Sequence, residues 1–167
     1  MSKKTGRLVT VFCDASFDDF GRCAFAVWAK TSGLPTKRWA QNFKTQPENS
    51  SEAEFFAAAN AVYLVVKHFE LQKGDTILLQ TDCMEVVTCV KRLAISLSKK
   101  KRECVNSIHK APCYVHMRHV KGHMRKSETE PRHAVNQWCD LAANKLRKAQ
   151  AKCPAPVELP SVAVVKP

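Results

Sequence analysis

Four carboxylates stand out because of their neighbours in the chain. Asp14 closes the apolar run LVTVFCD (8–14), and Asp82 closes TILLQTD (76–82). Glu54 opens EFFAAANAV, and Asp140 sits inside NQWCDLAA. Singly, each has an ordinary job. Asp14 would start a turn, Asp82 would cap a helix, and Glu54 would complement a helix dipole, with Glu52 a second acid of that kind. Brought together, they repel and shift one another's pKa values unless a cation neutralises them. Oxygen ligands with no thiolate or paired imidazole suit Mg²⁺ or Mn²⁺ rather than Zn²⁺. Two such ions roughly 4 Å apart can activate water and stabilise the leaving oxygen of a phosphodiester.

The elements around these acids follow from hydrophobic pattern and turn chemistry. The run 8–14 reads as a buried strand ending at Asp14. SFDDFGR is a polar turn, CAFAVWAK (23–30) a second strand, TSGLP a hairpin loop and TKRWAQNFK (36–44) a third strand. Residues 45–53 read as loop and cap. From Glu54 the chain is apolar on most faces for about four turns, which predicts a buried helix with Glu54 in its first turn. Lys73-Gly74-Asp75 breaks that helix, and TILLQT (76–81) is a fourth strand running straight into the helix MEVVTCVKRLAI. A strand that turns into a helix is the pattern of a βαβ unit and predicts a strand parallel to the first. CYVHMRHV (113–120) is a fifth strand, 121–133 a polar loop holding His123, and 134–149 a last helix with Asp140 in its first half. The first and fourth strands can be neighbours, which lets Asp14 and Asp82 meet at one sheet edge. The tail from Lys152 carries four prolines and reads as flexible.

The chain has 167 residues, enough for one domain with its own core. Its 27 basic and 15 acidic residues leave a formal charge of +12, which favours an anionic partner such as nucleic acid. The segment 98–110, SKKKRECVNSIHK, is either a solvated helix face or a contact to a duplex backbone. Eight cysteines without a CxxC pair, most in apolar segments, read as reduced thiols. MSKKTGR leads into too short an apolar run for a signal peptide, and no stretch reaches membrane-spanning length. These features predict a soluble, cytoplasmic protein.

In order along the chain, VFCDAS followed by Gly21, EFFAAANAV, LLQTDCMEVV, HVKGH and NQWCDLAA resemble the type 1 ribonuclease H family. The resemblance covers residues 7–150. It implies an α/β ribonuclease H-like fold, with a five-stranded mixed sheet of three antiparallel and then parallel strands flanked by helices. It makes 1–150 the nuclease domain and 151–167 a Pro-rich tail. It further implies that Asp14, Glu54, Asp82 and Asp140 hold two Mg²⁺ ions, or Mn²⁺, with Asp14 bridging both. Glu54 and Asp82 would serve the leaving-group side and Asp140 the attacking water. His123 would assist proton transfer or product release. Ser16, Ser50, Ser51 and Met84, together with Lys99, Lys100, Lys101 and Arg102, fall where the family meets its nucleic acid.

The implied activity is endonucleolytic cleavage of the RNA strand of RNA/DNA hybrids by a monomer, leaving 3′-hydroxyl and 5′-phosphate ends. The chain departs from the family pattern at several points. Ala15 replaces a glycine, as in retroelement members. Met84 stands where a glutamine commonly reads the minor groove, and Ser50 and Ser51 where asparagines do. Residues 127–133 look like an insertion. Because 2′-hydroxyls are read by polar groups, these changes bear on hybrid specificity and leave the chemistry alone. Two other readings remain open: the same fold cutting other structured or double-stranded nucleic acid, or a binding module without catalysis. A zinc site at Cys113, His116, His119 and His123 is weakest, since strand alternation points His116 away from His119.

Overall fold

The computed structural model describes residues 6–92, 96–122 and 130–150. Nine elements follow one another: β1 (Leu8–Phe17), β2 (Cys23–Thr31), β3 (Lys37–Asn42), α1 (Ser50–Phe69), β4 (Thr76–Thr81), α2 (Met84–Arg92), α3 (Lys99–His109), β5 (Tyr114–His119) and α4 (Pro131–Ala149). The sheet order is β3-β2-β1-β4-β5. β1 pairs antiparallel with β2, and β2 with β3. β4 lies parallel to β1, as the strand-to-helix step at Asp82 predicts, and it is parallel to β5 as well.

Alternation along β1 sends side chains to two different cores. Val9, Val11 and Cys13 join Phe25, Val27, Ile77 and Leu79 under α1, where Phe55, Ala58 and Val65 are fully buried. Phe12 and Ala26 face the other way and pack with Cys139 and Ala143 of α4, with Trp28 and Trp138 at the margin. Each fully buried Val- or Phe-sized side chain contributes about 1.5–3 kcal/mol, so both helices are anchored on the central strand. The cysteines among the described residues are free thiols. Among the described residues, no helix is long and apolar enough to cross a membrane.

Three of the boundaries that bear on the carboxylates differ from the sequence expectation, each for a physical reason. β1 does not stop at Asp14; pairing with β2 continues through Ala15↔Phe25 to Phe17↔Cys23. Its pairing with β4, however, ends at Phe12↔Gln80. Asp14 is therefore held in a strand at the point where its parallel neighbour has left. α1 begins at Ser50, because Asn49 caps it by accepting from Glu52 N at 2.8 Å while the Glu52 carboxylate accepts from Glu48 N at 2.7 Å. Glu54 consequently sits in the second turn. α4 begins at Pro131, a favoured residue at a helix start, so 131–133 form helix and Asp140 lies mid-helix. Residues 127–129 of the expected insertion, the expected helical residues 93–95 and the Pro-rich tail lie outside the described residues.

Candidate active site

Three elements deliver carboxylates to one place. Asp14 comes from β1, Glu54 from α1, and Asp82 from the turn directly after β4. One oxygen of each lies within 4.8 Å of the others. Asp14 is buried, and Glu54 and Asp82 are half-buried. Glu52, two residues before Glu54, points elsewhere on the helix and is spent on the cap.

The electrostatics of this cluster are those of crowded carboxyl groups without a counter-charge. Burial, followed by the charges of Asp82 and Asp140, pushes the Asp14 carboxyl up to about 8. The Ala15 N–H donates to Asp14 Oδ1 at 2.9 Å and offsets only part of that rise. Burial, with the charges of Asp14 and Asp82, also raises Glu54 well above the carboxylate range. Glu54 Oε2 is buried with no hydrogen-bond partner. A buried, unpaired acceptor beside two other carboxylates is costly unless a cation occupies the gap. The donor set is oxygen throughout, which fits a hard divalent ion.

Asp140 stands at the margin of this triad. Its Oδ1 accepts from Asn144 Nδ2 at 2.6 Å, one helical turn further along α4. Its charge still reaches Asp14 and Glu54. Asp82 is supported by its surroundings. A β-carbon on Gly122 would overlap Asp82 Oδ2, Asn136 Nδ2 approaches the same oxygen at 3.5 Å, and His119 Nε2 lies 3.1 Å from the Asp82 carbonyl. His123 lies outside the described residues.

The positions expected to meet nucleic acid divide into two groups. Ser50 is exposed at the start of α1, Met84 is 53% exposed at the start of α2, and Lys99 and Arg102 are exposed on α3. The others are engaged internally. Ser16 is buried and its hydroxyl donates to Asn144 Oδ1 at 2.7 Å. Ser51 donates to Glu85. Lys100 pairs with Glu48 at 2.8 Å and Glu52 at 3.7 Å, and Lys101 pairs with Glu85 at 2.7 Å while lying over the Phe55 ring. Part of the basic run thus docks α3 onto α1 and α2. Asn144 is not among the residues expected at the site, although its i, i+4 spacing from Asp140 is the signal that marks it.

Sheet order, strand directions and helices packed on both faces define a ribonuclease H-like fold. Solved structures with the same arrangement include RNase H1 from the halophilic archaeon Halobacterium salinarum NRC-1, at TM-score 0.65 and 14% identity over 85% of this chain and 98% of that one. LC11-RNase H1, solved in complex with an RNA/DNA hybrid, superposes at TM-score 0.62 and 11% identity over 84% and 98% of the two chains. The foamy viral protease-reverse transcriptase, also solved with an RNA/DNA hybrid, matches at TM-score 0.58 and 13% identity over 87% of this chain and 20% of its own. At these identities the likeness is one of fold. No protein-family model and no curated protein matches the chain.

Proposed function

We propose that this chain is a divalent-metal-dependent endonuclease that hydrolyses the RNA strand of RNA/DNA hybrids. The observation that carries the reading is the Asp14–Glu54–Asp82 cluster: three carboxylates within 4.8 Å, with one Glu54 oxygen buried and unpartnered. A protein that only bound nucleic acid would gain nothing from holding such mutually repelling groups. The +12 formal charge supplies the attraction for a polyanion. Two of the fold neighbours were solved with RNA/DNA hybrids.

In this reading Asp14, Glu54, Asp82 and Asp140 hold two Mg²⁺ or Mn²⁺ ions. When bound, the metal supplies a nucleophile at neutral pH and neutralises the charge that develops on the phosphate. The chain's own residues do the rest. Ala15 N–H fixes one oxygen of Asp14, and Gly122 leaves the space that the Asp82 carboxylate fills. His123, next in the chain after Gly122, serves proton transfer or product release. Exposed Ser50, Met84, Lys99 and Arg102 form the face offered to the substrate. Residues 1–150 act as the nuclease domain, as a monomer in the cytoplasm.

One observation favours a broader substrate range. Ser51 donates its hydroxyl to Glu85, and Met84 offers a thioether where an amide would read 2′-hydroxyls. The test is a panel of RNA/DNA hybrid, double-stranded RNA, double-stranded DNA and single strands incubated with Mg²⁺ or Mn²⁺. Cleavage of the RNA strand of the hybrid is expected. Cleavage of DNA alone would exclude the hybrid reading, and cleavage of none would exclude the enzyme.

A further inference from the structure

A hydrogen-bonded chain runs from the surface to Asp140 and ties α4 to β1. Arg147 Nη1 donates to Asp18 Oδ2 at 2.8 Å, and its Nε donates to Ser16 Oγ at 2.6 Å. Ser16 Oγ donates in turn to Asn144 Oδ1 at 2.7 Å, and Arg147 Nη2 reaches the same oxygen at 3.4 Å. Asn144 Nδ2 then donates to Asp140 Oδ1 at 2.6 Å. Donor and acceptor types leave one arrangement. A guanidinium only donates and a carboxylate only accepts, so the Asn144 oxygen must face Arg147 and its NH₂ must face Asp140. Ser16 follows Asp14 by two residues on the same face of β1. The network therefore fixes Asp140 relative to Asp14, across the site.

We infer that Asn144 is a positioning residue, held by Ser16 and Arg147, that locks one oxygen of Asp140 and presents the carboxylate in a single orientation to a divalent cation. The inference rests on the metal-centre reading above and deepens it. Ser16 thereby acts through Asn144 and not on the nucleic acid. A carboxylate already oriented loses less freedom on binding an ion, and outer partners of metal ligands typically account for about 10- to 100-fold in affinity.

The test is isothermal titration calorimetry of the full chain with Mn²⁺ and Mg²⁺, using wild type, Asn144→Ala, Ser16→Ala and the double variant. Asn144→Ala should weaken cation binding about tenfold. Ser16→Ala should weaken it less, and the double variant should bind like Asn144→Ala alone, because the two residues act in series. The Mg²⁺ concentration for half-maximal hybrid cleavage should rise in parallel, with KM for the hybrid unchanged. If Asn144→Ala does not fold, Ser16→Ala carries the comparison, and its unchanged cation affinity overturns the inference. Unchanged affinity in a folded Asn144→Ala, or additive losses in the double variant, overturns the positioning role alone. A wild-type chain that binds no divalent cation overturns the metal centre and the positioning role together.

Discussion

Gly122 lies directly against Asp82: a β-carbon at Gly122 would overlap Asp82 Oδ2 and stand 3.2 Å from its Cγ. No side chain tolerates such an overlap, so Gly122→Ala must push the Asp82 carboxylate out of place. The carboxylate is at the surface of the core and not part of its packing, so the fold has little to lose. Hydrolysis should fall on the order of 100-fold, the cost of displacing a reacting group by about 1 Å. Steady-state kinetics beside a thermal melt checks this; a fall in melting temperature with activity retained would speak against it.

The raised Asp14 and Glu54 carboxyls set a pH dependence for the metal-free chain. Folded, both keep a proton at pH values where the unfolded chain has released it. The folded state thus binds more protons, and stability falls as pH rises from about 4, the ordinary carboxylate value, toward about 8. Melting temperature measured in EDTA should drop across that window, and added Mg²⁺ should recover most of the loss at pH 8. Asp14→Asn removes one of the repelling charges and should raise the metal-free melting temperature at pH 8 by about 2–4 °C, while ending hydrolysis.

The basic run of α3 has two different jobs. Lys100 and Lys101 are paired with Glu48, Glu52 and Glu85, whereas Lys99 and Arg102 are exposed. Lys99→Gln and Arg102→Gln should each reduce the salt dependence of hybrid binding by about one unit of slope while leaving stability alone. Lys101→Gln should instead loosen α3, costing about 1 kcal/mol, with the slope nearly unchanged. Binding isotherms at several salt concentrations and urea melts separate the two groups.

How legible these features are in the sequence depends on whether their causes are local. β4 has the bounds expected of it, since TILLQT is a short apolar run with Gly74 before it and Asp82 after it. The acids at Asp14, Glu54 and Asp82 are legible because each abuts an apolar run that must be buried. The continuation of β1 past Asp14 is not, because it depends on β2 supplying partners as far as Cys23. The start of α1 is hidden because Ser50, Ser51 and Glu52 look like loop until Asn49 and Glu52 are seen to cap it. The pairing of Lys100 and Lys101 rests on glutamates from α1, its cap and α2. No local pattern announces such contacts, and the same holds for Ser16 meeting Asn144, 128 residues away.

The central claim is that these carboxylates run a metal-dependent cleavage, and Asp82→Asn tests it most directly. This change keeps the shape of a half-buried side chain and removes its charge. Wild type and variant should be compared on a labelled RNA/DNA hybrid in Mg²⁺, with binding measured in parallel. Wild type should cut the RNA strand, and Asp82→Asn should bind the hybrid with similar affinity and leave it intact. A wild-type chain that leaves the hybrid whole, or a variant that cuts it at the wild-type rate, would contradict the account.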